Sequence, residues 1–181
     1  MRNFFWGLVF FWWAMDFYLL VFKRNHEQKV AERKSKFIVT LLIFIGLLLA
    51  IVPEDFRATW RHREFGLAQI IGSFILLVGI IIRLLSVLTL GKHFARDIGV
   101  HREKELITSG LYARIRHPGY TGEMISFLGV GVVFWHFPAS LFITLLPVVA
   151  FLYRAIVEEK VMLEEFGQEY EEYRKRTRMF I

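Results

Sequence analysis

Five long apolar segments, separated by charged stretches, dominate the pattern of the chain. They cover residues 4–22, 37–52, 67–90, 124–135 and 139–153. The first three are long enough to cross a hydrocarbon core of about 30 Å as helices. The last two are shorter and are separated only by residues 136–138, which predicts a tight helical hairpin. Since helices satisfy their own backbone groups in lipid, the pattern predicts an all-α integral membrane protein with about five transmembrane helices.

Basic residues alternate between the connecting segments and so predict the orientation of the chain. Lys and Arg number six in residues 23–36, three in 53–66, six in 91–120, none in 136–138 and five in 157–181. Cytoplasmic loops carry the excess of positive charge. The N-terminus is therefore predicted outside, and the loop 91–120 and the C-terminal tail share the cytoplasmic face. The first segment is expected to stay as a span, because no small-residue cleavage site follows it.

Composition narrows the classes of function. Hydrophobic residues make up 55% of the 181 residues, which indicates a membrane protein, and the absence of cysteine excludes disulfides, thiolate metal sites and a cysteine nucleophile. We attribute the net charge of +6 to the orientation of the chain in the membrane and to contact with anionic lipid. No nucleic-acid partner is expected. The histidines lack the spacing of metal ligands and no G-x-G-x-x-G is present, so we expect neither a metal site nor a Rossmann nucleotide site. The histidines considered are His26, His62, His93, His101 and His136.

Two ionisable residues interrupt the apolar segments. Asp16 and Arg83 each lie about 10 Å in from the predicted cytoplasmic edge, in helices that run in the same direction. Equal depth allows a structural ion pair. Arg83 could instead extend to the interface, and either residue could contact substrate, since charges within spans are costly and often functional.

A third charged group lies where the fifth segment leaves the membrane. Arg154 and Glu158 are four residues apart and share one helix face, and Glu159 follows directly. The pair could be a surface salt bridge worth less than about 1 kcal/mol. It could also hold a ligand, the carboxylate meeting a cationic group and the arginine an anionic one.

The stretch "LYARIRHPGYTGE" is a polar, turn-rich sequence at the start of an apolar segment. Gly110 and Gly119 permit turns, and Pro118 prevents a helix from continuing through His117. Irregular backbone is therefore expected to present His117 and Tyr120 at the membrane surface, as a candidate ligand site.

The C-terminal tail is charged and has a helical pattern. This pattern predicts a helix to Phe166, a break at Gly167 and a short amphipathic helix over residues 169–176. Tyr170 and Tyr173 fall on one face of that last helix.

Two motifs and the hairpin between them carry a family resemblance. "ELITSGLYARIRHPGYTGE", a hydrophobic hairpin and "RAIVEEKVMLEEFGQEYEEY" together resemble the integral-membrane methyltransferases, over about residues 90–178. This family includes isoprenylcysteine carboxyl methyltransferase and the phospholipid N-methyltransferases. The resemblance implies S-adenosyl-L-methionine as methyl donor, bound by a cytoplasmic loop without a Rossmann fold. It divides the chain into an N-terminal three-helix region, residues 1–90, that shapes the acceptor channel, and a catalytic region, residues 91–181.

The resemblance also implies site residues. Arg154 is assigned to the acceptor and Glu158 to the cofactor. Apart from the resemblance, an amine acceptor would need a base, for which Glu159 and His117 are the candidates. The cofactor-binding residues that it implies are Leu106, Ile107, Gly110, Tyr112, His117, Pro118, Gly119, Tyr120 and Glu158.

The resemblance leaves the acceptor and two other classes of function open. The methyl acceptor is expected to be lipid-embedded: a prenylcysteine-like carboxylate most of all, or a phospholipid amine or a small apolar thiol. "HPGYTGE" also resembles steroid-reductase-like enzymes that use NADPH, and Glu123 is the residue that raises this option. A non-enzymatic scaffold that binds lipid headgroups through the basic loop 91–120 is the third possibility.

Overall fold

A computed structural model describes residues 1–22, 30–52, 65–91 and 106–181. Most of the basic residues counted in the loops 23–36, 53–66 and 91–120 lie outside the described residues, as do His26, His62, His93 and His101.

Six α-helices and one 3-10 turn make up the described part of the chain. They are α1 (Arg2–Phe22), α2 (Val30–Ile51), α3 (Leu67–Leu90), the 3-10 turn (Gly110–Ala113), α4 (Pro118–Phe134), α5 (Phe137–Phe166) and α6 (Gln168–Arg176). A single bridge pairs Ile115 with Arg178 in parallel. The all-α prediction is confirmed.

Three of the described helices are long and apolar enough to cross a membrane. Their candidate spans are Lys34–Ile51, Leu67–Leu90 and Phe137–Phe166. Helix α1 has 21 residues, and α4 has 17 residues. The α5 helix, at 30 residues, extends about 45 Å and so exceeds the hydrocarbon thickness by several turns.

Helices α3 and α4 pack at very short range through facing small residues. An added Cβ at Gly129 would collide with the backbone nitrogen of Leu76, and one at Gly72 would lie 2.7 Å from the carbonyl of Gly129. Small residues allow this approach and are the usual basis of helix pairing in lipid. The buried core draws on Phe5 and Trp12 of α1 as well as on α2 to α5, so the N-terminal helices share one core with the rest.

The hairpin and the C-terminal break are both confirmed. Trp135, with φ of 46°, ends α4, and α5 begins two residues later, where the Ser140 hydroxyl donates to the Gly131 carbonyl at 2.6 Å. Helix α5 ends at Phe166, and Gly167 takes φ of 51°, in the region that favours glycine.

One local prediction is wrong. Tyr120 does not lie on irregular backbone, because α4 starts at Pro118 and places Tyr120 in its first turn. Proline suits the first helical position, since its missing N–H would have no partner there and its φ is already helical. His117 is the residue that precedes this helix.

Candidate functional site

The Tyr120 hydroxyl joins the two charged residues that the sequence places on one face of α5. Arg154 Nε donates to it at 3.1 Å, and it donates to Glu158 Oε2 at 2.5 Å. The ring of Tyr120 stacks on Phe151 at 5.6 Å and on His117 at 5.5 Å. The start of α4 is thereby fixed against the end of the apolar part of α5.

Arg154 is buried, and its second observed contact comes from α2. Arg154 Nη1 donates to the Ser35 hydroxyl at 2.6 Å, and Ser35 is fully buried. The guanidinium is thus held from two sides, by Ser35 and by Tyr120. Hydrogen bonds to a charged group are shorter and stronger than neutral ones, so this arrangement restricts where Arg154 can point.

Glu159 points to a different set of partners from its neighbour Glu158. Its Oε1 lies 2.6 Å from Arg116 Nε and 3.4 Å from His117 Nε2, and its Oε2 lies 3.4 Å from Arg174 Nε. Arg116 also donates to the Thr177 carbonyl at 2.6 Å. Glu159 therefore ties the segment before α4 to α6 and to the residues that follow α6.

His117 is buried beneath the C-terminal segment, the residues 177–181 that follow α6. Its ring lies between the rings of Tyr120 and Phe180, and the ring centroids of His117 and Phe180 are 5.8 Å apart. Its backbone N–H donates to the Met179 carbonyl at 3.2 Å, next to the bridge between Ile115 and Arg178.

Tyr112 anchors the 3-10 turn to α3 and α6. Its hydroxyl shares a 2.7 Å hydrogen bond with the Ser86 hydroxyl, and its carbonyl accepts from the Tyr173 hydroxyl at 2.7 Å. Burial raises the pKa of Tyr112 well above its usual range, against the lowering effect of the Ser86 hydrogen bond. Gly110 takes φ of 58° beside Thr89, and residues 106 and 107, which precede the turn, are half-buried.

A second polar cluster lies inside the bundle and includes the ion pair predicted between Asp16 and Arg83. Arg83 Nη2 lies 3.3 Å from Asp16 Oδ1, and Arg83 Nε lies 2.8 Å from Glu123 Oε1. The indole N–H of Trp12 donates to Glu123 Oε2 at 3.1 Å. The ion pair is confirmed, and Glu123, for which no partner was predicted, belongs to the same cluster.

The sequence-predicted residues therefore fall into three groups. Tyr120, Arg154 and Glu158 are brought together directly, His117 stacks on the Tyr120 ring, and Pro118 begins the helix that carries Tyr120. Tyr112 and Gly110 pack on α3, and Glu159 faces the C-terminal segment. Within residues 1–22, 30–52, 65–91 and 106–181, no three histidine or carboxylate side chains converge as metal ligands would.

Sequence reasoning missed several partners of this site. Ser35, Ser86 and Trp12 carry no motif, and only the fold places them beside Arg154, Tyr112 and Glu123, respectively. Arg116 and Arg174 had a signal, because each is a basic residue in a segment predicted to share a membrane face with Glu159. Their pairing with Glu159 could not be distinguished from solvent exposure without the fold.

The arrangement combines a fixed cation, a half-exposed carboxylate and aromatic rings at one end of a helical hairpin. It can hold an anionic group and a cationic group close together without a strand-based nucleotide fold. These features define an all-helical membrane protein whose candidate site, at the end of the bundle, carries charges of both signs.

A family model described as phospholipid methyltransferase matches residues 67–169, more than half of the chain. The chain belongs to this family, as the resemblance predicted.

Individual relatives are named for one activity within this family. A probable protein-S-isoprenylcysteine O-methyltransferase from Oryza sativa subsp. indica is 34% identical over 117 residues, which are 64% of this chain and 61% of that protein. Protein-S-isoprenylcysteine O-methyltransferase B from Arabidopsis thaliana is 29% identical over 160 residues, 87% of this chain and 74% of the relative. The chain thus spans about 61% of the length of the rice relative.

A solved structure has a similar fold. It is described as the eukaryotic intramembrane Ras methyltransferase ICMT (isoprenylcysteine carboxyl methyltransferase), with a TM-score of 0.53 and 23% sequence identity. The match covers 84% of this chain and 52% of the other. Together with the three apolar helices, this fold identifies an integral membrane protein.

Proposed function

We propose that the chain is an S-adenosyl-L-methionine-dependent methyltransferase that esterifies the carboxylate of a lipid-embedded, isoprenylcysteine-type acceptor. The observation that carries the proposal is the Tyr120 hydroxyl, which holds Arg154 at 3.1 Å and Glu158 at 2.5 Å. This places a cation for an anionic acceptor beside a carboxylate for a cationic donor. The names of the rice and Arabidopsis relatives support the choice of acceptor.

The chemistry of the side chains present fits the donor. S-Adenosyl-L-methionine has a sulfonium, an ammonium, a carboxylate and an adenine. Glu158 is half-exposed, as a ligand for a cationic group must be, and the Tyr120 hydroxyl holds its carboxylate in place. The residues that would hold it are those that the resemblance implies, from Leu106 and Ile107 through Tyr120 to Glu158.

When bound, S-adenosyl-L-methionine supplies an electrophilic methyl group on a positively charged sulfur. Arg154 would hold the acceptor carboxylate and orient it towards the donor. A C–O bond forms as the C–S bond breaks, and the products are a methyl ester and a neutral thioether. No base is needed, because a carboxylate is already ionised near neutral pH.

This mechanism gives Glu159 a supporting part. Its carboxylate is engaged by Arg116, His117 and Arg174, so it holds the C-terminal segment over the site. Glu159 or His117 would serve as a base only for an amine acceptor, which must lose a proton before or during transfer.

The proposal includes the membrane arrangement. Five helices, α1 to α5, cross or enter the bilayer, with the N-terminus outside and the site at the cytoplasmic face. The positive-inside pattern of the loops supports this orientation. An apolar acceptor then reaches Arg154 laterally from the bilayer, between helices.

Transfer of labelled methyl groups tests the reaction and the acceptor. The purified protein in detergent receives labelled S-adenosyl-L-methionine with a farnesylcysteine derivative, with phosphatidylethanolamine or with an apolar thiol, each in a separate reaction. The proposal expects label in the farnesylcysteine product, released as methanol by mild base, as an ester requires. Base-stable label in the phospholipid would show that the acceptor is a lipid amine instead. The family model is named for that activity, phospholipid methylation. No transfer to any of the three would reject the proposal.

A further inference from the structure

We infer that Ser35 is a positioning residue for Arg154 and that it sets the preference of the site for an anionic acceptor. The inference rests on the proposed function, and it concerns a residue of α2 that lies outside the part matched by the family model.

The geometry at Ser35 is that of a charge-assisted hydrogen bond. Arg154 Nη1 donates to the Ser35 hydroxyl at 2.6 Å, in a site where Ser35 is 0% and Arg154 is 5% exposed. In a site without water, the position of a guanidinium depends on such contacts, because solvent cannot replace a lost acceptor. Ser35 therefore has a larger effect on Arg154 than a hydroxyl at the surface would have.

Ser35 and Tyr120 act on different atoms of the same guanidinium. Tyr120 accepts from Nε at 3.1 Å, and Ser35 accepts from Nη1 at 2.6 Å. Two contacts from two helices fix both the position and the plane of the group. A planar guanidinium binds a carboxylate best when its fork faces the two oxygens, so the angle of this plane determines how well an anionic acceptor is held.

The two contacts also differ in what else they touch. Tyr120 continues to Glu158 and so couples Arg154 to the proposed donor site. Ser35 lies on α2, which packs along α5 on the other side of Arg154. Removal of the Ser35 hydroxyl should therefore weaken the binding of the acceptor while the donor site stays intact. This explains physically how the N-terminal helices, which lack a recognisable motif, take part in acceptor choice.

The test compares Ser35→Ala with Ser73→Ala in the full chain. Ser73 is a matched control, because it is a buried serine in α3 whose hydroxyl donates within its own helix, to the Gln69 carbonyl at 2.7 Å. Steady-state kinetics are measured with a farnesylcysteine derivative as acceptor. A second readout is the inhibition constant of the neutral primary amide of the same derivative, a competitive inhibitor that cannot be esterified, compared with the KM of the carboxylate acceptor.

Ser35→Ala is expected to raise the KM for the acceptor about tenfold, the effect of one hydrogen bond to a charged group, with the KM for the donor within about twofold. The preference for the carboxylate acceptor over the amide inhibitor should fall by a similar factor. Ser35→Thr, which keeps the hydroxyl, should recover this preference, and Ser73→Ala should leave it unchanged.

An unchanged carboxylate preference in Ser35→Ala would overturn the inference. An equal rise in the KM for the acceptor and the KM for the donor would also overturn it. So would a lower kcat and a lower melting temperature without a change in carboxylate preference. Both results indicate a structural role. Failure of the proposed function gives a different result, because the unmodified protein would then not methylate the farnesylcysteine acceptor at all.

Discussion

At the residue scale, Tyr120 is the central group of the site. Sequence alone gives it only an aromatic role, whereas the structure gives its hydroxyl two charged partners and its ring two aromatic neighbours. Separate substitutions can therefore remove the hydroxyl and the ring.

Tyr120→Phe should lower kcat/KM for methyl transfer about tenfold to hundredfold while the melting temperature changes little. The ring and its stacking remain, but Arg154 and Glu158 lose the hydroxyl that holds them in register. Tyr153→Phe is the control, since Tyr153 is an exposed tyrosine on the neighbouring helix α5. Equal kinetics for Tyr120→Phe and the unmodified protein would show that the bridge has no part in the reaction.

At the element scale, α3 and α4 form the closest helix pair, and its glycines make a sharp prediction. Gly129→Ala should destabilise the protein by about 1–3 kcal/mol or more, because the new methyl group meets the backbone of Leu76, which cannot move aside. Gly7→Ala is the matched control in α1, since an added Cβ there has no neighbour within 4 Å. The melting temperature in detergent measures both. Equal melting temperatures for the two variants would contradict the packing described.

The docking of α6 predicts a dependence on alkaline pH. Burial raises the pKa of Tyr173 from 10.0 to about 12, with Arg116 opposing the rise. The folded protein prefers the neutral phenol, so the contribution of this hydroxyl is complete below about pH 10 and is lost as the pH rises towards 12.

Tyr173→Phe should therefore melt below the unmodified protein at neutral pH, by a margin that narrows above pH 10. The reason is that phenylalanine has no proton to lose and no hydroxyl to donate to the Tyr112 carbonyl. Melting curves from pH 7 to 11 measure the margin. A margin that stays constant or widens with pH would contradict the docking of this tyrosine.

Helix positions were largely predictable from the sequence, and the start of α4 was not. The apolar runs and Gly167 located α3, the hairpin and the end of α5, because hydrophobic period and glycine are local signals. The start of α4 at Pro118 was missed, since proline both ends a preceding helix and begins a new one, and only the packed structure decides between the two. For the same reason, the sequence predicted irregular backbone at Tyr120, whereas the structure has this residue in a helix.

At the scale of the whole molecule, a buried charge cluster joins the N-terminal helix to the matched family region. Arg83 of α3 contacts both Asp16 of α1 and Glu123 of α4, and Trp12 of α1 contacts Glu123. The Asp16–Arg83 pair followed from equal depth in two parallel helices. Glu123 could not be assigned, because its partners lie 40 and 111 residues away in sequence and depend on how the helices pack.

Arg83→Leu should destabilise the protein strongly, by about 3–5 kcal/mol, because it leaves two carboxylates without their buried cation. The double variant Arg83→Leu with Glu123→Leu should melt above the single variant, since one of the uncompensated charges is then gone. Melting in detergent tests this order. A double variant less stable than Arg83→Leu would show that Glu123 has a separate stabilising part.

The central claim, that the site at the end of the hairpin binds a methyl donor, is tested most directly by a thermal shift with its reaction product. S-Adenosylhomocysteine at about a hundred times its Kd should stabilise the protein by about 2.7 kcal/mol, because only the folded state binds it. NADPH should leave the melting temperature unchanged. Glu158→Ala should abolish the shift, and Glu172→Ala, which removes an exposed carboxylate of α6, should retain it. A shift with NADPH and none with S-adenosylhomocysteine would contradict the account and favour a reductase.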